Sequence, residues 1–216
     1  MFIIAIEGNI AAGKSTFVEE LKKRYEGNAT ISFLDEPVDE WEKIKDIYGV
    51  SMLQKYYSNP AKYSFAFQMM ALGSRLNNLK QKVKSLDPSQ RHVIITERSV
   101  YTDREVFAKM LRDQKMMEDV EFKIYNKWFD DFVDISIDSV VMLKTSPSTS
   151  FTRVNRRGRA GEVIPLEYLE RCDEYHKHML DNLTIPTFVF DADRDIYENP
   201  EVLEEWLKTM DHIIRI

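Results

Sequence analysis

The chain has 216 residues, 44% of them apolar and 31% charged, an ordinary globular balance that argues against both a disordered chain and a membrane protein. A formal charge of −6 argues against a dedicated nucleic-acid binder, which carries a basic face. The single cysteine, Cys172, rules out an intramolecular disulfide, and no Cys/His group has zinc spacing.

In chain order, the apolar run Phe2–Ile6 reads as a first buried strand ended by Glu7. It is too short for a signal peptide or a membrane span, so a soluble, cytoplasmic protein is expected. Lys14–Tyr25 has helical periodicity, with Phe17, Val18 and Leu21 on one side. Thr30–Leu34 is the second strand. Pro60–Ser85 is a long amphipathic helix, with Phe65, Met69, Leu72, Leu76 and Leu79 spaced alternately by four and three. His92–Thr96 is the third strand, Asp119–Val133 a helix, Ser139–Leu143 the fourth strand and Pro147–Arg157 a helix. Pro165–Leu183 (helix), Thr187–Phe190 (strand) and Pro200–Met210 (helix) complete the chain. His176 and His178, two apart on one helix, make a poor metal pair and read as surface or satisfied residues. Hydrophobic strands alternating with helices predict one α/β domain over residues 1–216, with a parallel sheet covered on both faces.

Chemistry concentrates between the first strand and the first helix. Gly8-Asn9-Ile10-Ala11-Ala12-Gly13-Lys14-Ser15-Thr16 fits G-x-x-x-x-G-K-[ST] in the strand-to-helix context that gives the motif meaning. Glycines let backbone N–H groups curl around phosphate oxygens, and the helix N-terminus adds partial positive charge. Lys14 then reaches the β- and γ-phosphates, and the Ser15 hydroxyl can ligate Mg²⁺. The motif implies a nucleoside triphosphate. A regulatory GTPase is a poor match, because no N-K-x-D follows a strand.

Ligands of open parallel sheets gather at the carboxyl ends of the strands. Glu36-Pro37-Val38 follows the second strand and Glu97-Arg98-Ser99 the third. Phosphoryl transfer to a hydroxyl uses a carboxylate to orient the acceptor and cations to neutralise the transferred group. Glu36 and Arg98 suit those tasks, and Glu97 suits the metal, although position alone does not separate them from surface charges. Arg153, Arg156, Arg157 and Arg159 cluster around Gly158, either as a lid over the triphosphate at about residues 153–163 or as a solvated helix end. On the long helix, Gln68, Ala71 and Arg75 share a face; a Gln amide can pair with a nucleobase edge, and Tyr57, Phe67 and Phe107 offer stacking surface.

G-N-I-A-A-G-K-S-T, E-P-V, S-F-x-F-Q, E-R-S-V-Y-x-D-R, R-G-R and I-P-L-E-Y-L follow one another in this order. Together, from Ile4 to about Asp191, they resemble the deoxycytidine/deoxyguanosine kinase family of deoxynucleoside kinases. The resemblance implies a P-loop kinase fold with a five-stranded parallel sheet and an arginine-rich lid. It also implies a homodimer that transfers the γ-phosphoryl of ATP, with Mg²⁺, to the 5′-hydroxyl of a deoxynucleoside in nucleotide salvage. By position, Glu36 is similar to the base on that hydroxyl, Arg98 to the adjacent cation, and Ser15 and Glu97 to the metal residues. Gly8, Asn9, Ala11, Ala12, Gly13, Lys14, Ser15 and Thr16 match the phosphate loop. Arg153, Arg157 and Arg159 match the lid arginines, and the stretch Asp191-Ala192-Asp193 resembles the loop under the adenine. Gln68 matches the base-pairing residue, Phe67 and Phe107 the base sandwich, and Tyr57 and Glu162 the groups on the sugar 3′-hydroxyl. The Arg75–Asp103 pair resembles that of the deoxycytidine and deoxypurine members, so those acceptors are expected and thymidine is expected to be poor. Ala71 leaves room for a larger base.

Two other readings compete. A nucleoside-monophosphate kinase of thymidylate type shares the fold, but a carboxylate at Glu36 would repel an acceptor phosphate. A non-catalytic nucleotide-binding module would have no need of Glu36, Glu97, Arg98 and the lid arginines together.

Overall fold

Strand β1, Phe2–Gly8, is the middle of five strands, with two on either side. In the computed structural model, which describes residues 1–159 and 162–215, β1 pairs with β3 (Val93–Glu97) and with β4 (Ser139–Lys144). Beyond them, β2 (Ile31–Leu34) pairs with β3 and β5 (Thr187–Asp191) with β4, all parallel, in the order β2-β3-β1-β4-β5. Period-two alternation sends Ile4 and Ile6 to one face, where they pack with Phe17, Leu21, Trp206 and Met210. Ile3 and Ala5 face the other way and pack with Leu79, Ile94 and Val140. Both faces are therefore covered by helices, as the P-loop kinase expectation requires.

The helices are α1 (Lys14–Arg24), α2 (Val38–Lys43), α3 (Met52–Ser58), α4 (Pro60–Ser85), α5 (Val100–Thr102), α6 (Lys109–Asp113), α7 (Asp119–Phe132), α8 (Pro147–Arg157), α9 (Leu166–Asp181) and α10 (Pro200–Ile213). A π-helical stretch, Asp103–Ala108, joins α5 to α6. Proline opens α4, α8 and α10 in the first turn, where its missing N–H costs nothing. Gly158 ends α8 in the left-handed conformation, φ 58°. A second core of Trp41, Tyr56, Phe67, Leu76, Tyr125 and Phe129 binds α2–α4 to α7 beside the sheet and builds one wall of the site.

Several expectations are corrected. Glu7 does not end the first strand; it is a fully buried strand residue, and β1 runs on to Gly8. Helices α2 and α3, and the run from α5 to α6, were not predicted. α9 begins at Leu166 with Pro165 as its cap, and α10 continues three residues past Met210. His176 is fully buried: its Nδ1–H donates to the Cys172 carbonyl at 2.6 Å, and burial pulls the imidazole down to about 3, which keeps it neutral. Ala160 and Gly161, within the expected lid, lie outside the described residues.

Candidate active site

The loop between β1 and α1 is shaped by three residues with positive φ: Gly8 at 147°, Ala11 at 59° and Gly13 at 95°. At Gly8 a side chain is also barred by space, since a Cβ would stand 2.6 Å from the Leu143 carbonyl oxygen of β4. Asn9 is buried and anchors the loop, its Nδ2 donating to the Leu169 carbonyl of α9 at 2.9 Å. Lys14 lies back over the loop, donating to the carbonyls of Asn9 (2.7 Å) and Gly8 (3.2 Å). Burial, aided by the nearby Arg98 charge, pulls its ammonium down to about 7. Ala11, Ala12, Gly13, Ser15 and Thr16 line the cavity that opens above the loop.

Ser15 at the start of α1 donates to Glu97 Oε1 at the end of β3, 2.8 Å away. A hydroxyl and a carboxylate side by side are hard oxygen donors and fit Mg²⁺, which keeps most of its shell as water and phosphate oxygens.

Glu36 projects from the end of β2 into a ring of guanidinium groups. Its Oε1 lies 3.2 Å from Arg98 Nε and 3.1 Å from Arg75 Nη2. Burial opposes its charge, but Arg98, Arg75 and Lys14 together hold the carboxyl at about 2. Arg98 sits at φ 63°, a left-handed conformation uncommon for a side-chain-bearing residue; its Nη1 donates to the Gly8 carbonyl at 2.8 Å and its guanidinium lies 4.9 Å from the Phe107 ring. Arg75 from α4 is buried and forked against Asp103, Nε to Oδ2 at 2.9 Å, while Nη1 donates to the Glu97 carbonyl.

These groups border a cavity of about 990 Å³, large enough for two nucleotide-sized ligands. Gln68 and Ala71 line it from α4. Gln68 is buried, yet its Oε1 has no hydrogen-bond partner among the described residues. An unpaired buried acceptor is costly, so the site suits a ligand that brings a donor. Phe67 and Phe107 both line the cavity; Phe67 also stacks on Tyr56, centroids 4.5 Å apart. Tyr57 donates to Glu162 Oε1 at 3.0 Å, and Arg157 holds Glu162 Oε2 at 2.6 Å, so Glu162 ties α3 to the end of α8. Burial and the Glu162 carboxylate keep the Tyr57 phenol well above its ordinary value and therefore protonated.

Arg153 reaches the loop after β5, its Nη1 donating to the Ala192 carbonyl at 2.8 Å, and Arg159 lines the cavity. Of the stretch Asp191-Ala192-Asp193 expected in that loop, Ala192 lines the cavity, joined by Arg194 and Asp195, whereas Asp191 is the last residue of β5 and accepts the Asp193 N–H. Sequence reasoning missed Trp41, Leu53, Leu111 and Tyr168, which also line the cavity. Aromatic and aliphatic side chains at helical spacing read as core, so no local signal marks them.

A family model described as deoxynucleoside kinase matches residues 4–215. Deoxycytidine kinase 1 of Xenopus laevis is 34% identical, over 95% of this chain and 87% of its own length. Human deoxycytidine kinase is 33% identical, over 95% and 89%. The mitochondrial deoxyguanosine kinase of Xenopus laevis is 28% identical, over 94% and 85%.

Proposed function

The chain belongs to the deoxynucleoside kinase family, and we propose that it transfers the γ-phosphoryl of ATP to the 5′-hydroxyl of deoxycytidine or a purine deoxynucleoside, with thymidine a poor acceptor. The observation that carries the reading is Glu36, an ionised carboxylate between two guanidinium groups, in one cavity with the Gly-Lys-Ser loop and with Gln68, whose amide oxygen has no partner among the described residues.

In this reading the base lies between Phe67 and Phe107 with a donor on Gln68 Oε1, and the Arg75–Asp103 fork faces its exocyclic edge. Tyr57 and Glu162 hold the sugar 3′-hydroxyl. The 5′-hydroxyl then donates to Glu36, which turns its lone pair toward the γ-phosphorus. A carboxyl near 2 is a weak base, but the transition state is loose and the acceptor proton becomes acidic only late. Glu36 first orients the hydroxyl and takes its proton as the O5′–P bond forms and the bond from the γ-phosphorus to the bridging oxygen breaks, releasing ADP. Arg98, Lys14 and the lid arginines Arg153, Arg157 and Arg159 neutralise charge on the transferred group. Ser15 and Glu97 would hold Mg²⁺, which neutralises phosphate charge when bound.

We also read the protein as a homodimer. Val120, Ile124, Trp128 and Phe132 recur every four residues along α7 and are all exposed, an apolar stripe that a second copy would cover. No described helix is long and apolar enough to cross a membrane.

The test is a phosphoryl-transfer panel with Mg-ATP and deoxycytidine, deoxyadenosine, deoxyguanosine, thymidine and deoxycytidine monophosphate as separate acceptors. Turnover of deoxycytidine or the purines, with little on the other two, supports the reading. Strong thymidine turnover removes the role of Arg75 and Asp103 in specificity. Turnover of the monophosphate alone removes Glu36 from the acceptor site.

A further inference from the structure

Glu7 is a fully buried acid at the centre of the sheet that the reaction scheme leaves without a task. It lies on the same face of β1 as Ile3 and Ala5. Its Oε1 accepts from the Ser99 hydroxyl at 2.7 Å, and its Oε2 has no partner among the described residues. An apolar residue would suit this core position better unless the carboxyl is needed for what it holds.

What it holds is the turn after β3. The Ile6 carbonyl accepts from the Arg98 N–H at 3.0 Å, and the Gly8 carbonyl accepts from Arg98 Nη1 at 2.8 Å. Three successive residues of β1 therefore grip the pair Arg98–Ser99, and Glu7 is the only one of the three that does so through its side chain. Ser99 passes the constraint on. Its hydroxyl donates to Glu7 and accepts from the Thr102 N–H at 3.4 Å, capping α5, so both its rotamer and the chain direction after Arg98 are fixed. Arg98 itself is at φ 63°, a strained conformation that persists only where the surroundings over-determine it. Relaxing that angle would swing the side chain away from Glu36, now 3.2 Å from Arg98 Nε.

We propose that Glu7 is a positioning residue for phosphoryl transfer: through Ser99 it locks the left-handed turn that aims the Arg98 guanidinium at Glu36 and the phosphate loop. The proposal rests on the reading of Arg98 as the cation beside the transferred group. Glu7 touches neither the acceptor nor the phosphates and acts only through Arg98.

The experiment compares Glu7→Ala, Ser99→Ala and Glu7→Gln, each alone and with Arg98→Ala, by kcat and deoxynucleoside Kd, and in the variants that keep Arg98 also by exchange of the Arg98 Nε–H in protein carrying ¹⁵N-arginine. Glu7→Ala and Ser99→Ala are expected to lower kcat by about 10²-fold, the scale of a misplaced catalytic group, with nucleoside Kd unchanged. Glu7→Gln keeps an amide oxygen for the Ser99 hydroxyl and is expected to retain wild-type turnover. With Arg98→Ala already present, neither alanine change should lower kcat further. Ser99→Ala, which removes one oxygen, keeps the test available if Glu7→Ala does not fold. An equal loss with and without Arg98, or loss of kcat and Kd together without rescue by Gln, overturns the proposal. The Arg98 Nε–H should exchange faster in the two alanine variants and at the wild-type rate in Glu7→Gln; unchanged exchange in all three overturns it. That resonance decides the matter even if the wild-type protein phosphorylates no deoxynucleoside, a result that would instead remove the functional reading.

Discussion

Arg75 touches Glu36 as well as Asp103: Nη2 lies 3.1 Å from the Glu36 carboxylate, while Nε holds Asp103 at 2.9 Å. The arginine read as facing the base edge is thus bonded to the carboxylate read as facing the 5′-hydroxyl. In the proposed reading, base recognition and acceptor activation share one guanidinium. Changes made for specificity will therefore also be felt in turnover.

Replacing the pair, Arg75→Met with Asp103→Ala, should raise the thymidine to deoxycytidine ratio of kcat/KM at least about 10-fold, because paired polar groups that exclude the wrong base are gone. It should also lower kcat on every acceptor, since Glu36 loses one of its cations. A steady-state panel on the double variant checks both. Asp103→Ala alone should be the less stable protein, by about 3 kcal/mol, because it leaves a buried guanidinium without its forked partner. Denaturant melts of the single and double variants test that order.

Glu36→Gln should lower turnover by about 10²–10⁴-fold while deoxynucleoside binding survives. Its pH behaviour carries a sign. The folded-state value, about 2, lies below the ordinary carboxylate value of 4.5, so the carboxylate stabilises the fold above about 4.5 and that contribution is lost as pH falls toward 2. The stability advantage of wild type over Glu36→Gln should be constant above pH 5 and shrink across that window. An acid limb in kcat/KM near pH 6 would assign the titrating group elsewhere.

Gly8→Ala and Gly13→Ala should differ sharply. Both positions have positive φ, but only at Gly8 would a Cβ meet a backbone oxygen, at 2.6 Å; at Gly13 the space is open. Gly13→Ala should lose about 1–3 kcal/mol to backbone strain, and Gly8→Ala more than that, with ATP binding lost. Thermal unfolding with and without ATP separates the two cases.

Trp128→Asp, at an exposed site on α7, should leave the monomer fold intact and shift the protein to a monomer at micromolar concentration. Sedimentation equilibrium of wild type and variant reads this directly. A wild-type monomer would remove the dimer reading.

The five strands, the phosphate loop and the long α4 were legible because each has a strong local signal: a short apolar run, a fixed Gly-Lys-Ser spacing, a long helical period. Helix α2 is six residues and α3 seven, too short for periodicity to stand out. The Ser51–Gln54 capping box does mark the start of α3 and was overlooked. The run from Val100 to Asp113 was hidden because its π-helical centre breaks the 3.6-residue period. Glu7 was misread for a different reason. A lone acid after an apolar run resembles a strand end, and only the Ser99 contact, 92 residues away in sequence, shows why it is buried. The grouping of Glu36, Arg75 and Arg98 likewise depends on three separate elements, which spacing within one element cannot report.

The central place of β1 governs how the protein is made. Within this sheet, β1 is synthesised before the strands on either side of it and pairs with residues far downstream, Phe2 with Val93 and Ile4 with Ser139. Contacts of such sequence separation form late and slowly. The nascent chain carries its complete Gly-Lys-Ser motif long before β4, one of the two strands that flank β1, has been synthesised. A chain that stalls before Ser139 is therefore expected to be inert toward ATP and exposed to chaperones and proteases.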